Sequence, residues 1–215
     1  MKLYYSRGTC SLASRIVAEE IGLALDYEGV DIDTHRTEYG ADYYAINPKG
    51  TVPAVVLDDG SLLTENVAIL QFLGDQKPKE GLVPKCGTIE RARLQEWLAF
   101  LASEVHKGFE VLFHGDTAQK ADGQVRMAKL LRLIEDRLPP DGYLMGDRFG
   151  VADAYLYVVL RWARATHVDL TGFDKLQAFR ERGGGARERE AGAAEGASQS
   201  APSRPFALGR LSVRG

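Results

Sequence analysis

The chain has 215 residues, a formal net charge of −3 and 45% hydrophobic residues, the composition of an ordinary globular protein. That balance argues against a nucleic-acid binder, which needs a basic face, and no apolar run approaches the ~20 residues of a membrane span. The N-terminus has one lysine before a short strand and no signal-peptide pattern, and Cys10 and Cys86 make no disulfide framework, so a reducing, cytoplasmic setting is expected. The four histidines, His35, His106, His114 and His167, have no metal-ligand spacing, and no metal is expected.

In chain order, Lys2–Tyr5 reads as a short strand, and Ser6–Thr9 with Gly8 as a loop. Ser11–Glu20 reads as a helix on the spacing of Leu12, Ile16 and Val17. Cys10 stands just before that helix, near its positive dipole end and its unpaired N–H groups, and both favour the thiolate and lower its pKa. A lone cysteine is also commonly a small buried hydrophobe. Gly22 stops the helix, Asp26–Asp31 is a second strand, Asp33–Gly40 a polar loop, and Asp42–Ile46 a helical turn ending at Asn47-Pro48-Lys49-Gly50. The apolar run Thr51–Leu57 contains Pro53, which cannot donate to a ladder; it fits the first strand position, or a cis bond in a tight turn. Asp58-Asp59-Gly60 is a hairpin turn, Ser61–Thr64 the returning strand, and Val67–Leu73 a helix with Thr64 as its N-cap.

Lys77–Gly87 reads as a linker, rich in Pro, Gly and charge, with Cys86 as a thiol without function. Thr88–Phe113 reads as one long helix with an apolar stripe through Leu94, Leu98, Leu101, Val105, Phe109 and Leu112, and with Ala99, Ser103, His106 and Glu110 on another face. A second helix covers Lys120–Leu138, Pro139–Gly142 is a stop and turn, and Tyr143–Asp147 an apolar link. A helix over Val151–Ala165 starts with Gly150 at its N-cap and Asp153 reaching back as N3. A last helix covers Phe173–Arg182. Beyond it the chain turns to Gly, Ala, Ser, Arg and Glu, with five Arg and three Glu after Arg182, and residues 183–215 are expected to be an atypical, disordered tail.

The order strand–helix–strand, then strand–strand–helix, supports an α/β class for the first part, followed by an all-α part. The segments MKLYYSRGTCSLASRI, DYYAINPKGTVPAVVLDDGSLLTENVAILQFL, EWLAFLASEVHKGFEVLF and FGVADAYLYVVLRWA together resemble the bacterial beta class of the glutathione transferase family, from Met1 to about Arg182. The resemblance implies a thioredoxin-like glutathione-binding domain over 1–76, a linker over 77–87 and an all-helical domain over 88–182. It implies glutathione as co-substrate, conjugation of its thiolate to apolar electrophiles in detoxification, and a cytoplasmic homodimer.

By position, Cys10 resembles the family cysteine that contacts the glutathione sulfur. His106 resembles the histidine near that sulfur, a hydrogen-bond partner or proton handler. Val52 would pair its backbone with the cysteinyl unit of glutathione; Glu65 and Asn66 would hold the γ-glutamyl end. Ser103 and Glu104 resemble contacts from the long helix, some across a dimer interface. His35 stands where the family has a lysine for the glycyl carboxylate. Arg7 replaces a loop proline, Ala99 an asparagine and Gly150 a Ser/Thr cap, and the family's last helix is replaced by the tail, which suggests a frameshift. Two rival functions remain open from the sequence: a monothiol disulfide reductase using Cys10, and a non-catalytic protein that binds glutathione or apolar ligands.

Overall fold

The computed structural model describes residues 1–184. A five-stranded sheet is built from β1 (Lys2–Tyr5), β2 (Asp26–Asp31), β3 (Arg36–Thr37), β4 (Ala54–Val56) and β5 (Leu62–Thr64), in the order β3-β2-β1-β4-β5. β1 runs parallel to β2 and antiparallel to β4, with Leu3 opposite Tyr27 on one side and Val55 on the other. The parallel pair needs a crossover, which is α1 (Ser11–Glu20); the antiparallel pair β4–β5 closes through the Asp58–Gly60 turn. Within the stretch expected to be loop, Arg36–Thr37 instead pairs with Val30–Asp31, capping the sheet edge with a two-residue strand.

Gly22 takes φ +58° after α1, a left-handed helix stop that a side chain would strain. The Val52–Pro53 peptide is cis, and β4 begins only after it, at Ala54. The helix α2 spans Asn66–Gln76, and its first flanking residue is Glu65, not Thr64, which ends β5. Glu65 holds φ +72° and makes no side-chain cap, so the turn from β5 into α2 is closed by backbone geometry.

Residues 77–87 contain a 3-10 turn at Pro78–Glu80, and Leu82 and Val83 in this stretch are buried. Arg91 fastens the connection: its guanidinium pairs with Asp75 at the end of α2, and its Nε donates to the Pro84 carbonyl at 2.7 Å.

The stretch expected as one helix over Thr88–Phe113 is three pieces. They are α3 (Ile89–Phe100), a π-helical segment over Leu101–His106, and α4 (Lys107–His114). The wider turn shifts the helix phase, so Ala99 and Ser103 are exposed while His106 and Glu110 are half-buried; the four do not share one environment. The next helix, α5 (Thr117–Arg137), starts earlier than its periodicity indicates because Asp116 and Gln119 form a reciprocal capping box. α6 (Val151–Ala165) is buried along almost its whole length and starts with Asp153 accepting from Gly150 N at 2.9 Å and Leu144 N at 2.8 Å.

The last described helix, α7 (Asp174–Gly184), is held at its start by Glu135, which accepts from the backbone N–H groups of Lys175 and Leu176. The helix does not stop at Arg182. Gly183 lies so close to Tyr157 that an added Cβ would come within 2.4 Å of the ring, so glycine here permits helix contact in place of a stop. Residues 185–215 of the expected tail lie outside the described residues. One contiguous apolar core runs from Leu3 and Ile16 through Leu70 and Leu98 to Val159 and Phe179, so sheet and helices share it.

Candidate active site

The loop between β1 and α1 is tied by hydroxyls. Thr9 Oγ1 and Ser11 Oγ lie 2.7 Å apart, both donate toward the Ser6 carbonyl, and Ser11 Oγ accepts from Ser6 N. Thr9 and Ser11 are buried, so their hydroxyls are spent on holding the loop. From the other side Trp162 on α6 donates Nε1–H to the Gly8 carbonyl at 2.8 Å. The loop is therefore pinned from within and from the helical part.

This arrangement presents Cys10 at the start of α1. Its side chain is only 5% exposed, and its Sγ–H points to the Val52 carbonyl at 3.6 Å, across the sheet end. The expected low pKa is not found: burial pushes the thiol up to about 12, aided by the negative charges of Glu110 and Glu65. The Cys10 backbone N–H and Lys107 act the other way and do not offset burial. Helix position alone predicted a thiolate because it ignored desolvation.

Val52 sits in the loop with cis Pro53, steadied by Tyr43 Oη–H and Asn47 Nδ2–H donating to the Thr51 carbonyl, each at 2.8 Å. His35 lies beside this loop. It has φ +51°, stacks on Tyr44 at 4.3 Å between ring centroids, and its Nε2 meets Tyr44 Oη at 3.0 Å, while its buried Nδ1 has no partner. Tyr44, not singled out from the sequence, is thus what anchors His35.

At the start of α2, Asn66 is 9% exposed. Its Oδ1 accepts from Ser14 Oγ on α1 at 3.1 Å, and its Nδ2 is a buried donor with no hydrogen-bond partner. Glu65 stands outside it, two-thirds exposed, and its carboxylate is paired with Lys49, which also donates to Thr64 Oγ1 at 3.0 Å. Lys49 has no periodic or motif signal beyond its turn and was missed from sequence.

The π-helical segment supplies His106. Its Nδ1 lies 2.6 Å from Tyr155 Oη on α6, its Nε2 is 3.7 Å from Glu110 Oε1, and its ring meets Trp162 edge-on at 4.8 Å. Burial holds the imidazole pKa down to about 4, outweighing the pull of Glu110, so the ring is neutral at physiological pH. Glu110 itself is clamped by Lys107 at 2.9–3.0 Å. Tyr155 is pushed above the ordinary tyrosine range, first by burial and then by the Cys10 charge it would face, while the Asn66 amide lowers it. Tyr155 is thus within hydrogen-bond distance of His106 and within electrostatic reach of Cys10 and Asn66.

Ser103 and Glu104 are not part of that group. Ser103 is exposed, and Glu104 is paired with Arg126 on α5 at 2.6 Å. Among the described residues no group of three or more His, Cys, Asp or Glu side chains gathers as a metal site, and no helix is long and apolar enough to cross a membrane.

Comparison with known proteins gives matches along most of the chain. Residues 9–76 match the family model for the glutathione S-transferase N-terminal domain, and residues 91–182 match the model for the C-terminal domain. The chain is 45% identical over 184 residues to glutathione S-transferase GstA of Escherichia coli O157:H7, covering 85% of this chain and 92% of the relative. A bacterial beta-class glutathione S-transferase of Sphingomonas chungbukensis superposes with a TM-score of 0.86 at 40% identity, over 91% of this chain and 99% of the other. A sphingomonad glutathione S-transferase complexed with glutathione does so at 0.86 and 39%, over 92% and 100%.

Proposed function

The chain belongs to the glutathione S-transferase family, and from that premise we propose that it joins the thiolate of glutathione to small apolar electrophiles, with Cys10, Val52, Asn66 and His106 around the reacting sulfur. The observation that carries this reading over the disulfide-exchange alternative is the state of Cys10. Its thiol is buried and spends its proton on the Val52 carbonyl, so it offers a hydrogen bond and not a nucleophile. The nucleophile is then glutathione's own sulfur.

In this reading residues 1–76 hold the tripeptide and residues 88–182 supply His106. The Val52 carbonyl has a second lone pair for the cysteinyl N–H of glutathione, a strand-like pairing beside Pro53. The Asn66 amide, a buried donor without a partner, together with the first free N–H groups of α2, suits the γ-glutamyl carboxylate. Glu65 suits the γ-glutamyl ammonium, which would displace Lys49 from an exposed pair of little intrinsic worth. His35, beside Gly50 and Thr51, faces the glycyl end. Ser103 and Glu104 lie away from this group and act only if a second copy of the chain brings its own pair to the site, as a homodimer would; cytoplasmic placement belongs to the same reading. When the sulfur attacks, a carbon–sulfur bond forms, the electrophile's leaving group departs with its electron pair, and the thiol proton passes to water.

The test is the initial rate of conjugation of a chloronitrobenzene with glutathione, in the wild type and in Cys10→Ala, with reduction of a glutathione mixed disulfide run beside it. Conjugation that survives in Cys10→Ala within about tenfold, the worth of one hydrogen bond, supports the reading. Little conjugation in the wild type, with disulfide reduction that vanishes in Cys10→Ala, transfers the assignment to the reductase.

A further inference from the structure

Four polar side chains from four different elements follow one another through the interior. Ser14 on α1 meets Asn66 on α2; Asn66 lies against Tyr155 on α6; Tyr155 meets His106 on the π-helical segment. Ser14, Asn66 and Tyr155 are buried, and His106 nearly so. Ser14 carries the only hydrogen of the first link that can be donated to Asn66 Oδ1, which leaves the Asn66 Nδ2 hydrogens to face outward. The amide makes no hydrogen bond to the Tyr155 phenol but favours its ionised form, the effect of a positive amide edge toward the phenol oxygen. The phenol oxygen thus has no acceptor on that side, and its own hydrogen is left for His106 Nδ1 at 2.6 Å. On the far side of the imidazole, Nε2 faces a carboxylate oxygen of Glu110, an acceptor. Every group in the line is consistent with hydrogens running one way, from Ser14 to His106 Nε2.

We propose that Tyr155 is a positioning residue that donates its O–H to His106 Nδ1, so that Nε2 carries the proton and His106 meets the glutathione sulfur as a hydrogen-bond donor and not as the base that removes its proton. The inference rests on His106 facing that sulfur, as proposed above. It assigns the tautomer by protein geometry, since the two ring nitrogens of a neutral imidazole divide the donor and acceptor roles between them. The opposite tautomer would leave the Tyr155 hydrogen needing an acceptor in a place where Asn66 offers its amide nitrogen and Ser14 already holds the amide oxygen. It would also put the bare Nε2 lone pair against Glu110. The thiolate gains a donor while its own proton leaves through solvent, so no step requires His106 to change its protonation.

The experiment uses the full chain with its histidines labelled in both ring nitrogens. The His106 signals, assigned by their loss in His106→Asn, report which nitrogen is protonated. The wild type is expected to show Nε2–H alone, and Tyr155→Phe both tautomers. In the same pair of proteins, kcat for chloronitrobenzene conjugation is expected to fall roughly 3- to 10-fold in Tyr155→Phe with KM for glutathione within about twofold, the worth of one neutral hydrogen bond. Nδ1–H in the wild type overturns the proposal, and so does a tautomer unchanged by Tyr155→Phe. The wild-type spectrum alone decides the first point even if the variant folds poorly. Should the tautomer shift as expected in a protein that conjugates nothing, the assignment of Tyr155 stands and the transferase reading falls instead.

Discussion

Trp162 Nε1 donates to the Gly8 carbonyl at 2.8 Å, a bond between residues 154 positions apart that joins α6 to the loop in front of Cys10. An indole N–H buried in this way satisfies the ring's only donor, and it makes the helical part responsible for the shape of the loop that opens α1. Trp162→Phe keeps an aromatic ring but removes the bond. KM for glutathione is expected to rise roughly 3- to 10-fold, with a loss of about 1–2 kcal/mol in stability, measured by steady-state kinetics and urea unfolding. An unchanged KM would mean that the hydroxyls of Thr9 and Ser11 hold the loop without help.

The two cysteines should differ sharply in reactivity. Cys10 is buried and its thiol is pushed up to about 12, whereas Cys86 is exposed. Alkylation by iodoacetamide of the native protein at pH 7.5, read by mass spectrometry of peptides, is expected to label Cys86 and leave Cys10 unmodified until unfolding. Rapid labelling of Cys10 would show that its thiolate is populated and would favour disulfide chemistry.

His106 gives the fold an acid sensitivity. Its pKa lies near 6.5 when unfolded and at about 4 when buried, so the unfolded chain takes up the proton first as pH falls. The stabilisation is complete above about pH 6.5 and is lost as pH drops toward 4, by on the order of 3 kcal/mol in all. His106→Asn is expected to flatten that part of the stability curve, measured by urea unfolding between pH 4.5 and 7.5. An equal slope in both proteins would place the acid sensitivity elsewhere.

Glu65 holds φ +72° without being glycine, a conformation that costs about 1–3 kcal/mol and is sustained by its surroundings. Glu65→Gly should relieve the strain and raise stability by about 1 kcal/mol after the entropy of the freer unfolded chain is subtracted. The same change removes the carboxylate, and KM for glutathione is expected to rise by about tenfold or more. Stability and affinity moving in opposite directions is the signature; a variant that loses both would mean that Glu65 is a structural residue.

What was legible in the chain followed from local chemistry. Val52-Pro53 in an apolar run, Gly22 after a periodic segment, and Gly150 with Asp153 each announce a geometry that short-range sterics or capping demand. The π-helical segment left no such signal. Leu98 before it, Leu101 and Val105 within it, and Phe109 and Leu112 after it are all buried, so the apolar stripe reads as continuous although the helix phase shifts. Tyr155 and Trp162 were hidden for another reason: seven residues apart on a buried helix they count as core, and their polar tips find partners only in three dimensions. The Cys10 pKa failed as an expectation because desolvation depends on what covers the thiol, here Val52 and the helices, and no local pattern records that. Lys49 and Glu65, 16 residues apart, meet only because a turn and a hairpin bring them together.

The wide turn over Leu101–His106 makes the reach of His106 a matter of chain length. A π-helical turn holds about one residue more than an α-helical turn, so a deletion of one codon between Leu101 and Val105, read through as an ordinary α-helix, would leave α4 and its Lys107–Glu110 pair close to their present phase. One residue added to the helix between Leu98 and Leu101 would instead swing α4 by roughly 100° and take His106 away from Tyr155, while Leu94 and Leu98 upstream kept their places. Inheritance therefore acts on this histidine through spacing as well as through identity. A descendant could keep every side chain named above and still lose the site by a single added residue, with its fold and most of its sequence intact.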